Sequence, residues 1–111
     1  MPWLIIYSDG AGNKYEIRDG RLSYDPVTPE RSSTGTYSGG DPRTAQLDEA
    51  QGAELRERVR VLEGETALHG PDRNKGTGAF HVEDEDGKRS FIVERVPALL
   101  AFDAHMKALG R

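Results

Sequence analysis

The sequence contains no cysteine among its 111 residues. Disulfide bonds, thiolate metal sites and cysteine nucleophiles are therefore excluded, although this absence does not by itself identify a compartment. A chain of this length corresponds to one domain with a modest core. We expect a single domain over residues 1–111 that carries a long Pro/Ser/Gly-rich loop at 25–43.

Long apolar runs are also missing. No segment approaches the roughly 18 consecutive apolar residues that a membrane-spanning helix needs. The first residues, MPWLIIYSDG, contain no basic side chain and pass from a short apolar run directly into a turn. This pattern is typical of a strand rather than of a signal peptide. We therefore expect a soluble cytoplasmic protein with no membrane partner.

Positive charge is not in excess, because 15 basic residues stand against 19 acidic ones and the net charge is −4. Proteins that bind the phosphate backbone of nucleic acids usually carry a basic surface, so no nucleic-acid partner is expected. One Trp, three Phe and four Tyr argue against general disorder. The arginines of the central segment alternate with glutamates, which indicates a solvated helix face: Arg56, Arg58 and Arg60 with Glu54, Glu57 and Glu63.

The dipeptide Asp86-Gly87 is a strong signal for a two-residue turn and predicts a hairpin over about residues 77–95. Folding the chain there joins opposite charges near the turn and apolar residues further away, and both kinds of cross-strand neighbour are favourable. His81 would lie across from Ile92, on the face opposite Phe80. The predicted pairs are Glu85 with Lys88, Asp84 with Arg89, Val82 with Phe91, and Phe80 with Val93.

Two turns near the N-terminus predict a three-stranded meander. The first is a four-residue loop at 9–12, and the second is the two-residue turn Asp19-Gly20. The predicted pairs are Ile6 with Tyr15, Leu4 with Ile17, Leu22 with Ile17, and Tyr24 with Tyr15, so that these six apolar residues share one face.

The first strand is apolar on both sides, because Trp3, Ile5 and Tyr7 occupy its second face. Two interpretations are open. The strand is central and is covered on that face by a helix or by the second hairpin, or Trp3, Ile5 and Tyr7 form an exposed interface for a partner. In the second case the protein is a structural domain that dimerises through its first strand. Both a monomer and a homodimer are compatible with the sequence.

Two helices complete the pattern. Asp48 and Gln51 have the spacing of a capping box at the start of a helix over about residues 48–63, and Gly52 weakens this helix by about 1 kcal/mol relative to alanine. A second helix follows Pro97, a residue suited to a first helical position. Apolar stripes run along both helices: Leu47, Leu55, Val59 and Leu62, then Leu99, Phe102, Met106 and Leu109. The sequence therefore predicts an α+β fold in which the meander and the C-terminal hairpin form an antiparallel sheet covered by both helices.

Metal and catalytic motifs are weak. The three histidines lack zinc-site spacing, and alternate carboxylates of the acidic turn at 83–86 would point to opposite faces. The glycines of loop 8–13 fit a hairpin turn and match neither an EF-hand nor a P-loop. No serine lies in a G-x-S-x-G setting. We therefore expect no metal, no cofactor and no assigned catalytic residue, and a non-enzymatic protein is favoured. His81 is either a solvated histidine or a ligand or general base.

The segment at 25–43, DPVTPERSSTGTYSGGDPR, is the predicted functional region. Compact domains rarely keep about 15 irregular residues unless the loop is functional or disordered. Its prolines favour extended backbone, and its Tyr, Ser and Gly content is typical of adaptable binding loops. Partner-binding residues are predicted there: Arg31, Ser32, Ser33, Thr34, Tyr37 and Ser38.

Two alternatives for this loop remain open. Tyr24 and Tyr37 fold inward and the loop only covers the sheet, or a pocket lies between loop and sheet. In the second case the protein is a small-molecule binder or a small enzyme in which Tyr24, Tyr37, Arg31 and Asp41 converge.

The order of elements resembles that of the emfourin type, small bacterial inhibitors of protealysin-like metalloproteases. The resemblance is carried by the N-terminal hairpin that turns on SDGAG at 8–12, the central helix, the hairpin FHVEDEDGKRSFIVE and the closing helix PALLAFDAHMKAL. The segment at 25–43 departs from the pattern of that family. The loop at 25–43 leads us to expect a non-enzymatic protein-binding module that presents this loop to a protein partner. The resemblance implies its most specific form, a protease inhibitor.

Overall fold

The computed structural model describes residues 3–10, 12–26, 42–70 and 76–109. Within these ranges the chain forms six strands, two α-helices and one short 3-10 helix. In chain order they are β1 (Leu4–Ser8), β2 (Lys14–Arg18), β3 (Arg21–Asp25), β4 (Arg43–Gln46), α1 (Glu49–Gly64), the 3-10 helix (Thr66–Leu68), β5 (Gly78–Asp84), β6 (Gly87–Val93) and α2 (Pro97–Leu109). The predicted α+β fold, with an antiparallel sheet, a central helix and a C-terminal helix, is confirmed.

The first strand of the chain, β1, lies in the middle of the sheet. The strand order is β4-β3-β2-β1-β5-β6, and every neighbouring pair is antiparallel. The strands β1 to β4 form a meander. Because α1 then carries the chain back across the sheet, β5 pairs with the free side of β1.

The strand β4 was not predicted from the sequence. Its residues, RTAQ, are alternately half-buried and exposed, and Ala45 is its only apolar residue, so it lacks the apolar alternation that predicts a strand. Arg43 of β4 lies opposite Tyr24 of β3. Asp25 and Arg43, the two ends of the predicted loop, therefore belong to strands.

The register between β1 and β2 differs by one residue from the predicted one. Tyr7 lies opposite Tyr15, so the predicted pair of Ile6 with Tyr15 is wrong, and the pair of Leu4 with Ile17 is wrong for the same reason. The loop between these strands has five residues instead of four, because it includes position 13. The predicted pairing of β2 with β3 is confirmed in both of its pairs.

Hydrogen bonds between Asp9 and Asn13 explain the longer loop. The Asp9 N–H donates to the Asn13 carbonyl oxygen at 2.9 Å. The Asp9 carboxylate accepts from the Asn13 backbone N–H at 2.9 Å and from its side-chain amide at 3.0 Å. Both residues are buried. This closure places Asn13 in the loop. Every β1 residue therefore pairs with the β2 residue one position later than predicted.

The shifted register buries the face of β1 that carries Ile5 and Tyr7. These side chains are 2% and 0% exposed, and Trp3 packs partly buried against the same core. The interpretation of a central, covered strand is thus supported. Because Ile5 and Tyr7 are buried, Trp3, Ile5 and Tyr7 do not form an exposed stripe on this chain.

The strand register of the C-terminal hairpin differs by two residues from the predicted one. Asp84 lies opposite Gly87, and the turn residues are Glu85 and Asp86. The Asp84 carboxylate accepts from the Asp86 N–H at 2.9 Å, and Gly87 begins β6 with a φ of +111°, which suits glycine. None of the predicted backbone pairs is present: Glu85–Lys88, Asp84–Arg89, Val82–Phe91 and Phe80–Val93.

A shift of two residues preserves which side chains share a face. Phe80 lies opposite Phe91, and Phe80, Val82 and Val93 are buried on the same side, as predicted. Asp84 and Arg89 form the predicted ion pair diagonally, with an Arg89 Nη1 to Asp84 Oδ1 distance of 2.8 Å.

Both helices pack on this one side of the sheet and bury the predicted stripes. Asp48 caps α1, and its carboxylate accepts from the Gln51 N–H at 2.7 Å while the Gln51 side chain accepts from the Asp48 N–H, so the capping box is confirmed. The buried helix residues are Leu55, Val59, Leu62, Leu99, Phe102 and Met106.

A row of directly opposed side chains crosses the whole sheet beneath the helices. Neighbouring ring centroids are 4.7–5.7 Å apart, and the row ends with a guanidinium 4.6 Å from the last ring. Each aromatic pair of this kind contributes about 0.5–1.5 kcal/mol beyond its buried area. From β6 to β4 the row consists of Phe91, Phe80, Tyr7, Tyr15, Tyr24 and Arg43.

Candidate functional site

The candidate site lies on the other side of the sheet, which we name the open face. Within the described ranges no helix covers it, because α1 and α2 both pack on the aromatic row side. Such one-sided burial is common for antiparallel sheets. The open face consists of the alternate positions Leu4, Ile6, Ser8, Lys14, Glu16, Arg18, Arg21, Ser23, Asp25, Thr44, Gln46, Ala79, His81, Glu83, Lys88, Ser90 and Ile92.

A shallow hollow of about 450 Å³ lies on the open face where β1, β5 and β6 run side by side. Ile6, Ala79 and Ile92 provide its apolar surface, and all three are half-buried. Ser8 and Gly70 lie at its margin. The hollow is therefore an apolar area within a sheet face that is otherwise mainly polar.

A chain of hydrogen bonds joins Ser90, His81 and Glu83 beside the hollow. The Ser90 Oγ is 2.8 Å from the His81 Nδ1, and the His81 Nε2 is 2.7 Å from the Glu83 Oε2. Ser90 is exposed, while His81 and Glu83 are about one-third exposed. Both ring nitrogens of His81 thus have partners, and the serine hydroxyl remains accessible.

The protonation of this chain follows from Glu83. The hydrogen bond from His81 is the main cause that holds the pKa of Glu83 below 4.5; desolvation opposes it, and the charge of Lys88 adds to the lowering. An ionised Glu83 only accepts, so His81 in its neutral form carries its proton on Nε2. Its Nδ1 is then the acceptor for the Ser90 hydroxyl. This arrangement orients a serine hydroxyl towards a base.

Strand geometry brings the three residues together. Alternate residues of a strand share a face, so His81 and Glu83 of β5 both point to the open face. Ser90 of β6 lies directly opposite His81. The sequence predicts His81 as a solvated histidine or as a ligand or general base, but the predicted register places it opposite Ile92. Because of this error in register, the contact between His81 and Ser90 was not predicted. Placing the turn at Glu85 and Asp86 would have revealed the contact.

Comparison of the sequence with protein-family models and with curated proteins finds no match to either. The site is therefore interpreted from its own geometry.

The predicted partner-binding residues Arg31, Ser32, Ser33, Thr34, Tyr37 and Ser38 lie outside the described residues, as does Asp41. Tyr24 is buried on the helix side of the sheet under the guanidinium of Arg43. Its ring is therefore on the opposite side from the hollow.

The other two histidines have structural positions. The His69 ring stacks on Phe91, and its Nε2 is 2.8 Å from the Leu62 carbonyl oxygen near the end of α1. His105 lies on α2, and burial is the main cause that lowers its pKa below 6.5. In the part of the chain that the structure describes, no group of three or more His, Asp or Glu side chains is arranged to bind a metal.

A second groove lies at the start of α1, beside Trp3. Two of its acidic residues are already engaged, because the Asp19 carboxylate accepts from the Trp3 N–H at 2.8 Å and the Asp48 carboxylate caps α1. The Arg56 guanidinium lies 5.3 Å from the Trp3 ring centroid. These contacts give the groove a structural role. Neither α1 nor α2, the α-helices of the described ranges, is long and apolar enough to cross a membrane.

Proposed function

We propose that this protein is a binding module and that its open face contacts a protein partner. The observation that supports it is a sheet face of six strands that, within the described residues, carries no covering helix and has an apolar centre. Strands spaced by about 4.8 Å make such a face about 24 Å wide. This width suits an extended protein surface better than a small molecule.

The distribution of side chains on the open face supports the same proposal. Half-buried Ile6 lies on the central strand β1, and half-buried Ile92 continues the apolar surface onto the edge strand β6. Lys14, Arg18 and Arg21 are exposed on the other side of β1. Protein interfaces usually combine an apolar centre with a polar, solvated rim. The open face has this arrangement before any partner binds.

The predicted loop has a place in this proposal. The pairing of Tyr24 with Arg43 holds both of its described ends at the β4 edge of the sheet, and the exposed Asp25 and Thr44 belong to the open face beside these ends. The described residues on either side of the segment 27–41 thus lie next to the proposed contact surface.

Affinity capture with matched variants tests the proposal. Ile92→Lys places a charge in the apolar hollow of the open face, and Val61→Lys, at a position 52% exposed on α1, makes a similar change elsewhere. We expect wild-type and Val61→Lys proteins to capture the same partner and Ile92→Lys to capture at least about tenfold less, as a loss of 1.4 kcal/mol would produce. Circular dichroism confirms that all variants are folded. Equal capture by all three would refute the open-face contact.

Two further experiments test the role of the loop and the inhibitor hypothesis separately. A variant with a short Gly/Ser linker in place of residues 27–41 is expected to fold and to lose part of the partner affinity. In its most specific form, the proposal makes the partner a protealysin-like metalloprotease, because the order of elements resembles the emfourin type. An unchanged protease rate at tenfold molar excess would remove this specific form and leave the general proposal to the capture experiment.

A further inference from the structure

We propose that Ser90 is a nucleophile that accepts the acyl group of small uncharged carboxylic esters, with His81 as its general base and Glu83 as a positioning residue. The site lies within the open face, and the activity is proposed for the protein without a bound partner. The inference rests on the hydrogen-bonded chain of these three residues, on the hollow beside them and on the direction of the Ser90 backbone N–H.

Ser90, His81 and Glu83 are hydrogen-bonded in the order that an activated nucleophile requires. Serine, a base and a group that orients the base must lie in succession within hydrogen-bonding distance, and here the two distances are 2.8 and 2.7 Å. Because Glu83 accepts from Nε2, the lone pair of Nδ1 faces the Ser90 hydroxyl. His81 is thus held in the tautomer that removes the serine proton.

The hollow provides a place for the acyl group. It lies against Ser90 and His81, and Ile6, Ala79 and Ile92 offer it apolar contacts. Its described lining includes no Lys or Arg, while the carboxylate of Glu83 lies close by. A short aliphatic acyl chain fits this surface.

Two backbone hydrogen bonds show where the Ser90 N–H points. Gly70 donates to the Ile92 carbonyl oxygen at 2.9 Å, and Glu94 donates to the Leu68 carbonyl oxygen at 2.8 Å. The backbone groups of Ile92 and Glu94 therefore point away from β5. Since alternate residues of a strand direct these groups to the same side, the Ser90 N–H also points to the outer edge of β6.

This orientation supplies a donor for the reaction. An N–H beside the nucleophile stabilises the oxyanion that forms when the ester carbonyl is attacked. The same geometry makes His81 and Ser90 a non-hydrogen-bonded pair, the kind whose side chains approach more closely. One feature of strand pairing thus explains both the short Ser90–His81 contact and the outward direction of the Ser90 N–H.

The reaction proceeds in two steps. The Ser90 Oγ forms a bond to the ester carbonyl carbon, its proton moves to the His81 Nδ1, and the ester C–O bond breaks as that proton passes to the leaving alcohol. Water then attacks the acyl-serine carbonyl carbon, gives a proton to Nδ1, and the bond to Oγ breaks. The products are the alcohol and the carboxylic acid, and Ser90 recovers its proton from His81.

Covalent labelling of the full chain tests the nucleophile. The probe is an alkyl fluorophosphonate, and the adduct is located by peptide mass spectrometry. We expect one adduct per chain on Ser90, none on Ser90→Ala, and wild-type labelling of Ser23→Ala, a control on the open face away from the hollow. Ser90 is exposed, so its variant is expected to fold. No adduct on wild-type protein, or an equal rate with Ser90→Ala, overturns the proposal.

The roles of His81 and Glu83 are tested with p-nitrophenyl butyrate. His81→Ala is expected to lower the acylation rate about 100-fold, the lower range for loss of a general base. Glu83→Gln keeps a hydrogen-bonding group but no longer fixes the tautomer, so kcat is expected to fall while KM and Tm stay unchanged. Unchanged kcat in both variants, or release of p-nitrophenol by Ser90→Ala at the wild-type rate, overturns the mechanism.

Discussion

The ion pair between Asp84 and Arg89 makes a quantitative prediction about stability. Arg89 holds the Asp84 carboxylate through Nη1 at 2.8 Å and Nη2 at 3.0 Å, and its Nε lies 2.9 Å from the Glu63 carboxylate on α1. Asp84 is buried. The network therefore attaches the β5–β6 turn to the helix, and loss of Asp84 weakens that attachment.

The magnitude follows from the pKa of Asp84. Its hydrogen bonds with Arg89 are the main cause that lowers this pKa from 3.8 to about 2. Each pKa unit corresponds to about 1.4 kcal/mol, and the Arg89 side chain, 30% exposed, is partly screened by water. We therefore expect Asp84→Asn to lower the free energy of unfolding by about 1–2 kcal/mol at pH 7.

The dependence on pH has a definite sign. Because the folded-state pKa of Asp84 is depressed, the stabilisation is fully present above pH 3.8 and is lost as the pH falls towards 2. Urea unfolding at pH 7, 5 and 2.5 measures it, and Asp86→Asn in the same turn is the control. The reasoning is refuted if Asp84→Asn and Asp86→Asn lose equal stability, or if the Asp84→Asn deficit is as large at pH 2.5 as at pH 7.

Three further predictions concern the core and the helices. Gly52→Ala is expected to raise the free energy of unfolding by up to about 1 kcal/mol, because a Cβ there meets the Trp3 ring at an ordinary 3.6 Å; a lowered Tm in thermal unfolding would contradict this. Tyr7→Phe removes the hydrogen bond of 3.0 Å to Asp103 and is expected to cost about 1–2 kcal/mol in urea unfolding, and a neutral result would show that this bond contributes nothing net. Burial and the charge of Arg58 lower the pKa of His105 below 6.5 in the folded state, so stability is expected to fall as the pH drops below 6.5, and His105→Gln is expected to remove that part of the dependence; identical pH profiles of both proteins would exclude it.

Local sequence signals predicted the structure correctly where a single residue type determines the backbone conformation. Asp19 and Gly20 both have positive φ, 51° and 88°, as the predicted two-residue turn requires, and the register between β2 and β3 was correct. Asp48, Gln51 and Pro97 located the starts of both helices for similar reasons. The α+β fold follows from these elements and from the apolar stripes.

Registers could not be predicted where contacts within a loop decide them. The bonds between Asp9 and Asn13 lengthen the first hairpin loop, and the capping of the second turn by Asp84 moves that turn by one residue and the strand register by two. Neither contact follows from composition or apolar alternation. The pairing of His81 with Ser90 depends on the second register, so the candidate site could not be found before the turn was known.

The position of β1 in the middle of the sheet has a consequence for the order of folding. During synthesis the residues of β1 emerge before those of β5, their second partner strand, which follows only after α1. Until then β1 is an unpaired edge whose side chains Ile5 and Tyr7 are apolar, and exposed edges of this kind favour association between chains. Long-range pairing is slow. Until β5 pairs with it, β1 is therefore the edge of the nascent meander at which association with other chains is most favoured.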